Sequence, residues 1–257
     1  MAQASPFRWQ SASRSHVGIV REINEDACLD QPERGLWAVA DGMGGHTLGD
    51  VASRLVIEAL NGMARADTLA AQVSEARARL RSVNRQLLAE AAVREVQVIG
   101  STVVVLMTDG RRGACLWAGD SRIYRYRDGV LEQLSRDHSH VEELVTRGLL
   151  SPADAPHHPA RNLITRAVGV AESLELDELD LELRHNDVYL LCSDGLSNEV
   201  SAQEIAGVLA AHDCRLAVDE LIRLALEHGG RDNVSAVLAV AIDPERDEPT
   251  ALNPALG

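Results

Sequence analysis

The chain has 257 residues, 46% hydrophobic but only 3% aromatic, so a sizeable core can form and must be packed mainly from Leu, Val, Ala and Ile. With 39 acidic against 25 basic residues the formal charge is −14, which excludes a general electrostatic attraction to nucleic acid or anionic lipid. No stretch approaches the roughly 18 apolar residues of a membrane span, residues 1–10 lack the apolar core of a signal peptide, and the four cysteines form no CxxC pair. The expectation is a soluble cytoplasmic protein with reduced, buried thiols.

In chain order, residues 1–14 are polar and small and read as a flexible lead-in. Segments 16–20 and 26–29 read as short strands, and 35–40 as a more apolar one. After the glycine-rich turn at 42–45, residues 46–63 look helical. A second helix is marked by Val73, Ala76, Leu80, Val83 and Leu87 at three- and four-residue steps, with charged residues between them. The period then changes to that of strands at 102–107, 113–118, 122–127 and 130–134. Asp109-Gly110 and Asp128-Gly129 supply hairpin turns, so this block reads as one antiparallel meander. Ser139 and Glu142 open a short helix, and 148–162 is an irregular loop containing three prolines. Strands at 174–183 and 188–192 precede two helices, the first opened by Ser201 and Glu204. A last strand covers 234–242, and 243–257 reads as a disordered tail. Paired helices between two groups of strands suggest two packed sheets with helices outside, in one domain spanning 15–242.

Four aspartates share an unusual setting. Asp41, Asp120 and Asp194 follow apolar runs, and Asp232 precedes one; Asp41 and Asp194 are followed by Gly, and Asp232 follows Arg231. A lone ionised acid is costly inside a sheet, so several at the mouths of buried strands imply a positive charge among them. Taken singly, an Asp-Gly pair is an ordinary turn signal; it is the joint pattern that points to a hard divalent cation held by oxygen. No His or Cys stands at these positions, which disfavours zinc and suits magnesium or manganese. The Gly42 carbonyl is a further candidate ligand, because glycine allows close backbone approach. Near the N-terminus Arg21 offers a planar fork for phosphate oxygens, with Glu25 and Asp26 close by as acids that can hold water on the metal.

In these segments the chain resembles the metal-dependent type 2C serine/threonine protein phosphatases, in their compact bacterial form. The resemblance is carried in order by Asn24-Glu25-Asp26-Ala27, Val39-Ala40-Asp41-Gly42-Met43-Gly44-Gly45-His46, Gly100-Ser101-Thr102, Ala118-Gly119-Asp120-Ser121-Arg122, Asp137-His138-Ser139, Leu163-Ile164-Thr165-Arg166, Cys192-Ser193-Asp194-Gly195 and Gly230-Arg231-Asp232-Asn233. It implies an α+β fold, a four-layer α-β-β-α sandwich of two antiparallel sheets flanked by helix pairs. It also implies a metal-dependent hydrolase acting on phosphoserine and phosphothreonine by direct attack of water, using two Mn2+ or Mg2+ ions and a weaker third. Asp41 would bridge two ions, Gly42 would give a carbonyl to one, and Asp194 and Asp232 would hold the other. Asp120 would help bind the third, Arg21 would grip the phosphate, and Glu25 and Asp26 would act through water. Segment 137–166 corresponds to the variable flap.

The resemblance implies phosphorylated proteins as substrates, a serine/threonine kinase as counterpart, and a monomer, with neither nucleic acid nor membrane as partner. One position departs from the animal relatives: Met43 stands where they carry a histidine proposed as general acid, leaving His46 or water for that role. His138 takes a structural hydrogen-bonding reading. A phosphoprotein-binding module without turnover and a hydrolase of small phosphate esters remain alternatives; the intact set of acids speaks against the first.

Overall fold

A computed structural model describes residues 7–44 and 48–244 of the chain. Eleven strands and six helices follow one another among these residues. The first sheet contains β1 (Arg8–His16), β7 (Arg122–Arg127), β8 (Val130–Gln133), β10 (Val188–Cys192) and β11 (Val234–Ile242), in the order β1-β11-β10-β7-β8. The second contains β2 (Asp26–Gln31), β3 (Leu36–Gly44), β5 (Val103–Asp109), β6 (Arg112–Ala118) and β9 (Asp177–Glu182) in that order, with β4 (Ile99–Ser101) on the end of β3. Every pairing is antiparallel.

The apolar runs of β3, β5, β10 and β11 are continuous, not alternating, because both faces of each strand are covered. Successive residues therefore enter different cores. Trp37 and Val39 of β3, Val104 and Leu106 of β5, and Tyr189 and Leu191 of β10 meet between the sheets. Leu36, Ala38 and Ala40 point the other way, onto α1 (Gly49–Asn61) and α2 (Leu69–Val93). Leu190 and Cys192 likewise meet α4 (Asp194–Ser197), α5 (Ala202–Ala211) and α6 (Cys214–Glu227) on the outer face of the other sheet. Three apolar layers between four layers of structure give the α-β-β-α sandwich. Five of the seven aromatics gather in the middle layer, where the Trp9 and Trp37 rings lie 4.8 Å apart.

Three expectations are corrected. Residues 8–14 are not a loose lead-in: they form most of β1, which pairs over nine residues with β11 from Arg8–Ile242 to His16–Val234. As an edge strand β1 buries only Trp9 fully, so it needs no apolar alternation. The strand expected at 16–20 ends at His16, because Gly18 turns the chain at φ +84° and Ile19 N–H bonds the Gly230 carbonyl at 2.7 Å. The middle block is also not one meander. Its first hairpin, β5–β6, belongs to one sheet and its second, β7–β8, to the other. The chain crosses between them at Gly119, whose φ of +114° is open only to glycine; a methyl there would run into the Thr102 side chain. The tail beyond Pro244 and residues 45–47 lie outside the described residues. Among those described, no helix is long and apolar enough to cross a membrane.

Candidate metal centre

The strand ends that carry the acids meet at one end of the sandwich. Asp26 begins β2 directly opposite Asp41 near the end of β3. β10 runs out through Ser193 into Asp194, the first residue of α4. Asp232 lies two residues before β11, and Asp120 sits on the crossover from β6 to β7. Asp120, Asp194 and Asp232 line one cleft of about 860 Å³, together with part of the flap segment, including Asp137, Glu142, Val145 and Arg161. At Gly42 the backbone is pressed against the start of α1, and any side chain would overlap the Gly49 carbonyl oxygen. This close approach is why the Asp41-Gly42 pair is more than a turn signal.

The electrostatics record the convergence. Burial, then Asp26, Asp194, Asp120 and Asp232 in that order, raise the Asp41 carboxyl well above the usual carboxylate range. Asp26 is pushed up to about 7, chiefly by burial, with Asp194 and Asp232 adding to the rise. Asp120 also rises to about 7, through burial, Asp194 and Asp137. Burial and Asp232 bring Asp194 to about 6. The Asp26, Asp41, Asp120 and Asp194 carboxyls are thus all pushed toward their protonated forms, a state that a bound cation would reverse. Cations of the chain's own reach in as well: Arg122 acts against the rise at Asp120 and Asp194, and Arg21 Nη2 donates to Asp232 Oδ2 at 2.8 Å, which raises the Arg21 pKa. Both ends of this pair are about half exposed, so most of the guanidinium fork still faces solvent.

Glu25 is partly engaged. Its Oε1 accepts from the Gly49 N–H at 3.1 Å, where α1 begins, and its carboxyl is raised by burial. Asp26 Oδ2 accepts from Ser193 Oγ at 2.8 Å. The residues that hold this frame were not given roles from the sequence. Asn233 is the main one: its Oδ1 accepts from Glu25 N–H at 2.8 Å, and its Nδ2 donates to the Val17 and Ile23 carbonyls at 2.8 and 2.9 Å. A single buried amide thereby pins the Arg21 loop beside Asp232. On the other side Thr102 Oγ1 accepts from Asp41 N–H at 3.0 Å and meets Ser121 Oγ at 2.7 Å, while Ser101 Oγ donates to the Asp41 carbonyl. All of these lie inside the quoted motifs, next to the acids; their position was the available signal.

The donor set fits a hard divalent cation. It is all oxygen, and Asp26 Oδ1 and Asp120 Oδ1 are buried without any protein partner. Among the described residues no three His, Cys, Asp or Glu side chains close on one point. An ion here would be shared between pairs of carboxylates and completed by water, the habit of magnesium and manganese. His46 lies outside the described residues, and the Met43 thioether in β3 has no proton to give. Segment 137–166 carries α3 (His140–Thr146), and its two ends are tied by the Ser139–Ile164 bridge and by Thr165 N–H to the His138 carbonyl at 2.8 Å.

An oxygen-only cation site at the rim of an α-β-β-α sandwich is the class of protein these features define. The Protein phosphatase 2C family model matches residues 13–239, and the chain belongs to that family. It is 38% identical over 233 residues to the serine/threonine protein phosphatase PstP of Mycobacterium tuberculosis, covering 90% of this chain and 45% of that protein. The chain therefore spans about half the length of that curated relative. Among solved structures it is similar to PppA, described as a key regulatory component of T6SS in Pseudomonas aeruginosa, with 48% identity, a TM-score of 0.86, and coverage of 91% and 98% of the two chains. The PstP catalytic domain in complex with two manganese ions superposes at a TM-score of 0.82 with 37% identity, covering 92% of this chain and 100% of that one.

Proposed function

We propose that the chain is a divalent-metal-dependent protein serine/threonine phosphatase, hydrolysing phosphoserine and phosphothreonine by direct attack of water. The observation that carries this reading is the gathering of Asp26, Asp120, Asp194 and Asp232 within electrostatic reach of Asp41, with Asp120, Asp194 and Asp232 lining one cleft and Arg21 bonded to Asp232. Asp41 with the Gly42 carbonyl, Asp194 and Asp232 would hold two Mn2+ or Mg2+ ions, with Glu25 and Asp26 acting through water and Asp120 serving a third, weaker ion. Such a pair supplies a water acidic enough to attack near neutral pH and neutralises phosphoryl charge.

The chain's own groups do the rest. Arg21 has N–H donors left over after Asp232 to orient the phosphoryl oxygens. Asn233 and Glu25 keep its loop in place. The cleft, about 860 Å³, is lined by Val145, Pro152 and Arg161 of the flap as well as by the acids, which suits a peptide better than a small ester. Met43 being unable to donate, the leaving seryl or threonyl oxygen takes its proton from His46 or from water. A serine/threonine kinase is the natural counterpart, and the likeness to PppA supports a regulatory setting. We place the protein in the cytoplasm as a monomer. The test is turnover of an aryl phosphate and a phosphothreonine peptide with Mn2+, with and without chelator. Activity must vanish on chelation and fall by orders of magnitude in Asp41→Asn and Asp232→Asn; survival of either would reject the proposal.

A further inference from the structure

We propose that His138 is a positioning residue of this site: its imidazole clamps the Gly119-Asp120 turn to the base of the flap. The inference rests on the reading of Asp120 as a cation ligand given above. Gly119 sits at φ +114°, with Thr102 packed where a side chain would otherwise stand. Both polar groups of Gly119 are spent on His138. Its carbonyl accepts from His138 N–H at 2.8 Å, and its N–H donates to His138 Nδ1 at 3.2 Å.

An accepting Nδ1 carries no proton, so the neutral ring must hold its proton on Nε2. Nε2 faces Asp177 Oδ2 at 3.3 Å, and Asp177 Oδ1 is held in turn by Arg166 Nη1 at 3.0 Å. The ring lies nearly parallel to Trp117, at 15°, and the His138 carbonyl receives the Thr165 N–H that closes the flap base. One residue thus joins these parts: its backbone ties the Gly119 carbonyl to the flap base, and its ring ties the Gly119 N–H to the start of β9.

The consequence falls on Asp120. Its Oδ1 is buried with no protein partner, so nothing but the turn decides where that oxygen points. A merely space-filling histidine would need burial against Trp117 and nothing more; the bond that Nδ1 accepts from Gly119 N–H, with the Asp177 carboxylate facing Nε2, is what a positioning role adds. Partners of this kind, one step removed from the ligand, are worth about 10–100-fold in metal affinity.

The experiment uses the full chain and two readouts: the Mn2+-induced rise in melting temperature, and the Mn2+ concentration giving half-maximal aryl phosphate hydrolysis. In His138→Asn the Oδ1 atom takes the place of Nδ1 and accepts from Gly119, so half-saturation should stay within about threefold of wild type. His138→Gln moves the polar end to the Nε2 side and leaves the Gly119 amide unpaired. It should raise half-saturation about tenfold and shrink the Mn2+-induced rise. Equal half-saturation in wild type, His138→Asn and His138→Gln, however far their metal-free melting points drop, overturns the proposal, as does an equal shift in both variants. Should neither His138 variant fold, Asp177→Ala decides, since that side chain is 44% exposed. It removes the carboxylate that faces Nε2 and favours a proton there, and should raise half-saturation at least threefold; no change overturns the proposal. A wild type without any Mn2+ response would overturn the phosphatase reading itself, and the wild-type arm tells the two failures apart.

Discussion

Replacing Asp120 by Asn should stabilise the metal-free protein while weakening its response to Mn2+. Asp120 is 9% exposed and its carboxyl is raised from 3.8 to about 7, first by burial and then by Asp194 and Asp137. In the unfolded chain it ionises near its ordinary value. Above pH 7 folding must therefore keep a charge that the site resists, whereas below 3.8 the acid is protonated in both states and costs nothing. The penalty grows as pH rises through this window, the reverse of a salt-bridged carboxylate. A rise from 3.8 to about 7 corresponds to roughly 4 kcal/mol if Asp120 stood alone. Because the more strongly raised Asp41 shares the burden by holding a proton itself, a gain on the order of 2 kcal/mol is the expected figure. For a chain of this length that means a melting temperature higher by about 4–8 °C at pH 8. At pH 5 the gain should shrink to less than half. Scanning fluorimetry in chelator at the two pH values measures both numbers. An Asp120→Asn protein no more stable than wild type at pH 8, or equally advantaged at pH 5, would refute the picture of mutually strained carboxylates.

Other outcomes follow from the same geometry. Arg21→Ala breaks an ion pair exposed at both ends, so stability should change by less than about 1 kcal/mol, while phosphopeptide turnover falls about a hundredfold for want of the oxygen clamp; unfolding and kinetic measurements separate the two. Asn233→Ala loses three hydrogen bonds at one buried side chain and should cost about 3 kcal/mol in urea unfolding, with activity falling as the Arg21 loop comes loose; a loss under about 1 kcal/mol would contradict its anchoring role. Exchanging residues 148–162 for another flap sequence should alter peptide preference and leave aryl phosphate turnover nearly unchanged, and a collapse of both would show that the segment supports the site.

Much of this was legible in the residues. Continuous apolar runs ending in Asp marked the strands that open onto the rim, and the helices announced themselves through Val73 to Leu87 and the Ser201–Glu204 capping box, which forms as expected. β1 was not legible, because a strand on the sheet edge buries one Trp and otherwise faces partners that tolerate Ser, Arg and Gln. Nor was the split of the middle block between sheets: hairpin turns fix which strands are neighbours locally, and only the left-handed Gly119 packed on Thr102 sends the chain across. At the site, the acids could be named from the expense of burying charge, but Asn233 and His138 act through atoms on residues about 200 and 20 positions away. No local pattern records such partners.

The most direct measurement is the anomalous scattering of a crystal grown in Mn2+. Two peaks should appear at the rim, bracketed by Asp41, Asp194 and Asp232, with the Gly42 carbonyl beside one of them. A fully soaked crystal with no peak there, or with those carboxylates turned toward separate surfaces, would contradict the account.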